Sequence, residues 1–199
     1  RDIAALGAGF YRDIGLPVDD VLSNSDLYER EGKNPHAFCT DIDHAGDVRI
    51  LCNIRDDERW MGTTLHELGH AVYAKFNNPD VPYLLRHPAH IFATEAIAML
   101  FGRLSSDPDW MTQMLDLTPE QRSDIAAVSG PHMRNSQLVF ARWDMVMFEF
   151  ERRMYADPDQ DLNALWWSLV KEHQHVNPPA GRDEPDWASK IHIATSPCY

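Results

Sequence analysis

The chain has 199 residues, 44% hydrophobic and 25% charged, enough apolar material for one sizeable core or two small ones. Its net charge of −13 argues against a general nucleic-acid binder, whose footprint is basic. No apolar run approaches the roughly 20 residues of a membrane span.

Residues 2–14 carry a helical pattern that Gly15 and Pro17 stop. The stretch from Val18 to Pro35 is polar and turn-rich. Two extended segments follow, His36–Cys39 and Val48–Ile54, joined by a turn-prone run from Asp41 to Asp47. They predict one small antiparallel β-hairpin. Asp56-Asp57-Glu58 puts negative charge where a helix dipole favours it, and the next helix is predicted to run to about Asn77. Asn77-Asn78-Pro79-Asp80 ends it. A second helix is predicted over about Ala89–Leu104, and Ser105–Asp109 breaks the chain. Thr118-Pro119-Glu120-Gln121 is a capping box with Pro at the first helical position. Long helices are predicted at about Met133–Tyr155 and Leu162–Gln174, and Lys190–Ala194 is read as extended. The fold class is therefore mainly α, an α+β arrangement with one hairpin. The chain opens at Arg1 without an initiator Met, and residues 1–199 read as a single domain cut from a longer protein.

Within the first long helix stands His66-Glu67-Leu68-Gly69-His70. Two histidines four apart project from one face, one turn apart. Neutral imidazoles suit Zn²⁺, and three protein ligands leave a fourth position for water. Glu67 is placed to take a proton from that water rather than to bind metal. Glu95 lies 25 positions after His70 on the second predicted helix and is the candidate third ligand. Gly69 costs the helix roughly 1 kcal/mol relative to Ala, which fits close packing at this point. Leu65, Leu68, Val72 and Phe76 give the helix an apolar side. Together these features imply a zinc peptidase, with one Zn²⁺ per chain.

The remaining chemistry-bearing residues read more plainly. Cys39, Cys52 and Cys198 are odd in number and form no CxxC, so they are neither a disulfide framework nor a structural zinc set. Buried free thiols are expected, with a Cys39–Cys52 bridge as the alternative. His87 and His90 read as loop or core histidines, and His132, after Gly130-Pro131, as part of a turn. Asp43, His44 and Asp47 belong to a polar hairpin loop, and His173 and His175 to a helix end. Trp143, Met145, Met147, Phe148 and Phe150 read as core, as does Trp166-Trp167.

Several motifs together are more specific than the histidine pair. They are Gly15-Leu16-Pro17, His36-Ala37, Gly46-Asp47-Val48-Arg49-Ile50, His66–His70 with Tyr73, Tyr83-Leu84-Leu85-Arg86, Thr94-Glu95-Ala96-Ile97, Trp166-Trp167 and Lys190-Ile191-His192. In these the chain resembles the angiotensin-converting-enzyme (peptidyl-dipeptidase A) family of zinc metallopeptidases. The resemblance implies the helical, gluzincin-type lobe of a two-lobed peptidase with a deep cleft. It implies that His66, His70 and Glu95 hold zinc and that Glu67 is the general base. It further implies that His36 and Ala37 lie on a cleft strand pairing with substrate backbone, an edge-strand mode of recognition. His192 would contact the substrate carbonyl, and Lys190 and Tyr199 would grip the C-terminal carboxylate of a peptide. Removal of C-terminal dipeptides is the implied activity.

The chain departs from the family pattern in two places. The acidic residue expected four after the third ligand is Met99, so support for a zinc histidine must come from elsewhere. Cys52 matches a half-cystine whose partner position is Pro35. An oxyanion-stabilising tyrosine is expected just beyond Tyr199. The competing readings are an endo-acting oligopeptidase of related type and a zinc-holding fragment without turnover. Apolar surface left by an absent lobe would favour self-association.

Overall fold

The computed structural model describes residues 2–198. The chain forms two compact units, Arg1–Gly130 and Pro131–Tyr199. It is mainly helical with one small sheet, as the sequence predicts. No helix among the described residues is long and apolar enough to cross a membrane.

The first unit opens with helix α1, Ile3–Asp13, whose N-cap Asp2 accepts the Ala4 N–H at 2.9 Å. A short helix α2, Asp19–Ser23, and a strand β1, Asp26–Tyr28, occupy the segment read from sequence as turns alone. Strand β2 is Phe38–Asp41 and β3 is Val48–Ile54. The β2–β3 hairpin is antiparallel as expected, but β1 adds to the other side of β3 in parallel. Three residues carry too little pattern to be seen as a strand. Lys33 makes β1 possible. Its buried ammonium donates to the carbonyls of Asp26, Tyr28 and Cys52 and pairs with the Asp26 carboxylate, tying β1 to β3.

On β3, Val48, Ile50, Cys52 and Ile54 alternate onto one face and are buried. That face packs with helix α3, Glu58–Lys75, through Leu65, Leu68 and Val72. Asp57 caps α3 by accepting the Trp60 N–H at 2.8 Å, and Lys75 sits in its last turn. Phe76, expected on the apolar side, follows the last turn and is exposed. Helix α4, Ile91–Gly102, covers a second side of α3. Helix α5, Pro108–Leu115, was hidden in sequence behind the chain break; Asp107 caps it at Asp109 and Trp110. Tyr11, Phe10, Phe101 and Trp110 form an edge-on aromatic cluster beside α3, with centroids 5.0–6.0 Å apart. The fully buried Tyr11 hydroxyl donates to the Leu65 carbonyl at 2.7 Å.

Helix α6, Pro119–Ala156, starts with the reciprocal Thr118–Gln121 box, at 2.9 and 3.3 Å. It begins well before the expected Met133 and runs through Pro131, so His132 is helical and not in a turn. A proline inside a helix removes one backbone bond and crowds the carbonyl four residues earlier, a local cost of ~3 kcal/mol that the other turns absorb.

In the second unit, Val146, Met147 and Phe150 of α6 meet Leu165, Trp166, Leu169 and Val170 of helix α7, Leu162–Gln174. Met145 and Phe148 fall on the opposite face of α6 and are exposed, contrary to the core reading. Lys190–Ala194 is not extended; helix α8, Ile191–Thr195, follows a 3-10 turn at Asp186–Ser189. The buried Glu151 carboxylate accepts the Cys198 N–H at 2.8 Å and the Tyr155 hydroxyl at 3.2 Å.

Candidate metal centre

Two helices of the first unit build the site. His66 and His70 stand one turn apart on α3, and Glu95 projects from α4. His66 Nε2 and His70 Nε2 are 3.2 Å apart. Glu95 Oε1 is 3.2 Å from His70 Nε2, and Glu95 Oε2 is 3.5 Å from His66 Nε2. Donors 2.0–2.1 Å from an ion at the centre of a tetrahedron lie ~3.3–3.4 Å from one another. The nitrogen pair is near that value, and each nitrogen has one Glu95 oxygen near it, Oε1 for His70 and Oε2 for His66. One donor atom from each of the three residues lies within 4.8 Å of the others, and two imidazoles with a carboxylate are donor types that suit a divalent metal such as zinc.

Glycines bring the two helices this close. An added Cβ at Gly69 would lie 2.7 Å from the Ala98 Cα, and one at Gly102 would lie 3.1 Å from the His66 Cβ. One seam thus runs from Gly62 beside the Gly102 carbonyl to Gly69 against Ala98. Glu58 closes its N-terminal end by accepting the hydroxyls of Ser105 and Ser106 at 2.7 and 2.8 Å.

Glu67 lies between the histidines in sequence and is only 6% exposed. Burial pushes its carboxyl up to about 7; Glu95 adds to the rise and His70 opposes it. Burial also holds His66 below its ordinary value, helped by His70 and opposed by Glu95, which favours the neutral, ligating form of its ring. Cys39 and Cys52 are pushed up to about 12, chiefly by burial, so their thiols stay protonated. The cysteines are free, and no Cys39–Cys52 bridge forms; Cys52 is buried as expected, Cys39 partly so, and Cys198 is exposed.

His36 and Ala37 precede β2 and are not part of a strand; His36 is exposed and donates its N–H to Asn34 Oδ1. The strand begins two residues later because Asn34 turns the chain there. β2 is nonetheless an edge of the sheet. His90 caps α4 at Phe92, and the His87 ring lies tilted against that of His44, with centroids 4.1 Å apart. Lys190 and His192 belong to the second unit, where the Lys190 ammonium lies 5.2 Å from the Trp143 ring centre and His192 is half-buried on α8. Tyr199 lies outside the described residues.

A model of the angiotensin-converting enzyme family matches residues 4–199. The chain belongs to that family of peptidases. It is 26% identical to the angiotensin-converting enzyme of Oryctolagus cuniculus over 96% of its own length, and it spans 15% of that relative. Sequence reasoning about this angiotensin-converting-enzyme homologue gave no role to Thr94, whose Oγ1 lies 2.7 Å from His70 Nδ1. A signal was present: Thr94 and Glu95 are the only polar side chains in α4, IFATEAIAMLFG.

Proposed function

We propose that this chain is the zinc-holding part of a metallopeptidase that releases C-terminal dipeptides. The observation that carries the reading is the convergence of donor atoms of His66, His70 and Glu95 to within 4.8 Å of one another, with a buried Glu67 on the helix of the two histidines. His66, His70 and Glu95 would hold one Zn²⁺. When bound, zinc lowers the pKa of a water and polarises the scissile carbonyl. The chain's own residues do the rest. Glu67 takes a proton from the attacking water and passes it to the leaving amine. Its raised pKa, relieved by a nearby dication, keeps both transfers accessible near neutrality. His192 donates to the substrate carbonyl, and Lys190 with Tyr199 fixes the terminal carboxylate. His36 and Ala37 lead into edge strand β2, on which a peptide backbone can pair. The partners are peptides, and self-association through exposed apolar surface belongs to the same reading.

The test is metal content and dipeptide release on protein purified without added zinc, and on a longer chain. Near one zinc per chain is expected, retained but inactive in Glu67→Gln. Lys190→Met should weaken cleavage of free-carboxylate peptides alone. Absence of zinc overturns the metal assignment. Equal cleavage of amidated and free C-termini points to an endo-acting oligopeptidase.

A further inference from the structure

His70 presents two different nitrogens to two different surroundings. Its Nε2 faces His66 Nε2 and Glu95 Oε1, both at 3.2 Å, while its Nδ1 faces Thr94 Oγ1 at 2.7 Å. A neutral imidazole has one proton, and a ring that ligates through Nε2 must carry it on Nδ1. The Thr94 oxygen is the acceptor in line for that proton. We propose that Thr94 is the positioning residue of the site, holding the His70 ring so that Nε2 points at the metal. The proposal deepens the zinc reading above and rests on it.

The placement is built into the helix pairing. Thr94 and Glu95 are consecutive on α4, so one turn supplies both a donor to the metal and the anchor of a second donor. Ala98, one turn further on, touches Gly69, the residue before His70. The contact that closes the seam therefore also fixes the distance from Thr94 to His70. A hydroxyl is a weaker acceptor than a carboxylate, so Thr94 orients the ring while adding little charge to it. Met99, half-buried on the same helix, offers no acceptor of comparable strength.

Thr94→Val removes the hydroxyl at nearly constant shape, and Thr94→Ser restores it. Zinc dissociation constants of the parent and both variants, by competition with a chelator, are the readout. Urea midpoints of the metal-free proteins are the control. Loss of a group that orients a ligand weakens metal binding about 10- to 100-fold. Thr94→Val should show that loss, Thr94→Ser should bind within about threefold of the parent, and the metal-free Thr94→Val midpoint should drop by no more than the loss of one hydrogen bond, far less than the affinity does. A Thr94→Val constant within threefold of the parent overturns the proposal, as does a Thr94→Ser variant equally weak. Midpoints that fall in step with affinity would reduce Thr94 to a packing residue. A parent that binds no zinc overturns the zinc reading and this proposal with it, and is thereby distinct from the other outcomes.

Discussion

Gly69→Ala sets two effects of opposite sign against each other. Alanine favours a helix over glycine by about 1 kcal/mol, so an exposed site would gain stability. At Gly69 the new methyl would stand 2.7 Å from the Ala98 Cα and 3.3 Å from both the Ala98 nitrogen and the Phe101 ring. The first two are backbone atoms that cannot rotate away, so α3 and α4 must part by roughly an ångström, at a typical overpacking cost of 1–3 kcal/mol. The helix gain offsets part of this, leaving a net loss of about 0–2 kcal/mol. The metal site responds more sharply, because donors tolerate only ±0.2 Å or so and Glu95 rides on α4; zinc affinity should fall about tenfold or more. Gly9→Ala in α1 is the control, since its Cβ meets nothing within 4 Å. It should gain about 0.5–1 kcal/mol and leave zinc binding unchanged. Urea denaturation and chelator competition on both variants decide the matter. If Gly69→Ala matches Gly9→Ala in stability and keeps the parent's affinity, the close seam does not position the donors.

Glu67 predicts a pH signature in metal-free protein. Its folded pKa of about 7 against an ordinary 4.5 means the folded state keeps a proton that the unfolded chain releases, so stability falls as pH rises through that window. Glu67→Gln removes this term, and its stability relative to the parent should rise by roughly 3 kcal/mol between pH 4.5 and 8. His66 titrates in both proteins and drops out of the comparison. Urea curves across that range giving a constant difference would contradict the buried-carboxylate picture, and zinc loading should flatten the effect. Tyr11→Phe removes the hydroxyl that donates to Leu65 and should cost about 1 kcal/mol in melting experiments with zinc affinity unchanged. A loss of affinity would mean that α1 helps to set the register of α3.

The first site helix was legible because an apolar pattern ran between an acidic start and a turn-prone stop. Asp57, the apolar faces around Leu65 and Leu68, and the break at Asn77-Asn78-Pro79 placed α3 to within a few residues. The α4 helix was read by its range alone, and Glu95 entered through its spacing from His70. Strand β1 was not legible because its three residues depend on Lys33, a side chain that composition assigns to solvent. The capping box marked the start of α6 at Pro119, but its continuity was hidden by Gly130 and Pro131, which ordinarily end a helix and here sit inside one. The face assignment of Met145 and Phe148 failed because apolar residues were counted as core before their phase around the helix was fixed. Thr94 was quoted within the Thr94–Ile97 motif but given no role, for a different reason. Threonine in a helix reads as filler until a neighbouring imidazole is known to lie within reach.

The same seam that makes the site also makes it costly without an ion. Two imidazole nitrogens sit 3.2 Å apart, a carboxylate touches both, and Glu67 is buried close enough to Glu95 to feel its charge. Burial works against the charged forms of His66 and Glu67. A single dication answers all of these terms at once, because it pairs with Glu95, accepts both nitrogens and favours the ionised Glu67. Zinc binding and the closeness of α3 and α4 are therefore two sides of one equilibrium. Residues that only pack the seam, such as Gly69 and Ala98, should then change metal affinity without touching the metal, and residues that only touch the metal should change how firmly the helices pack.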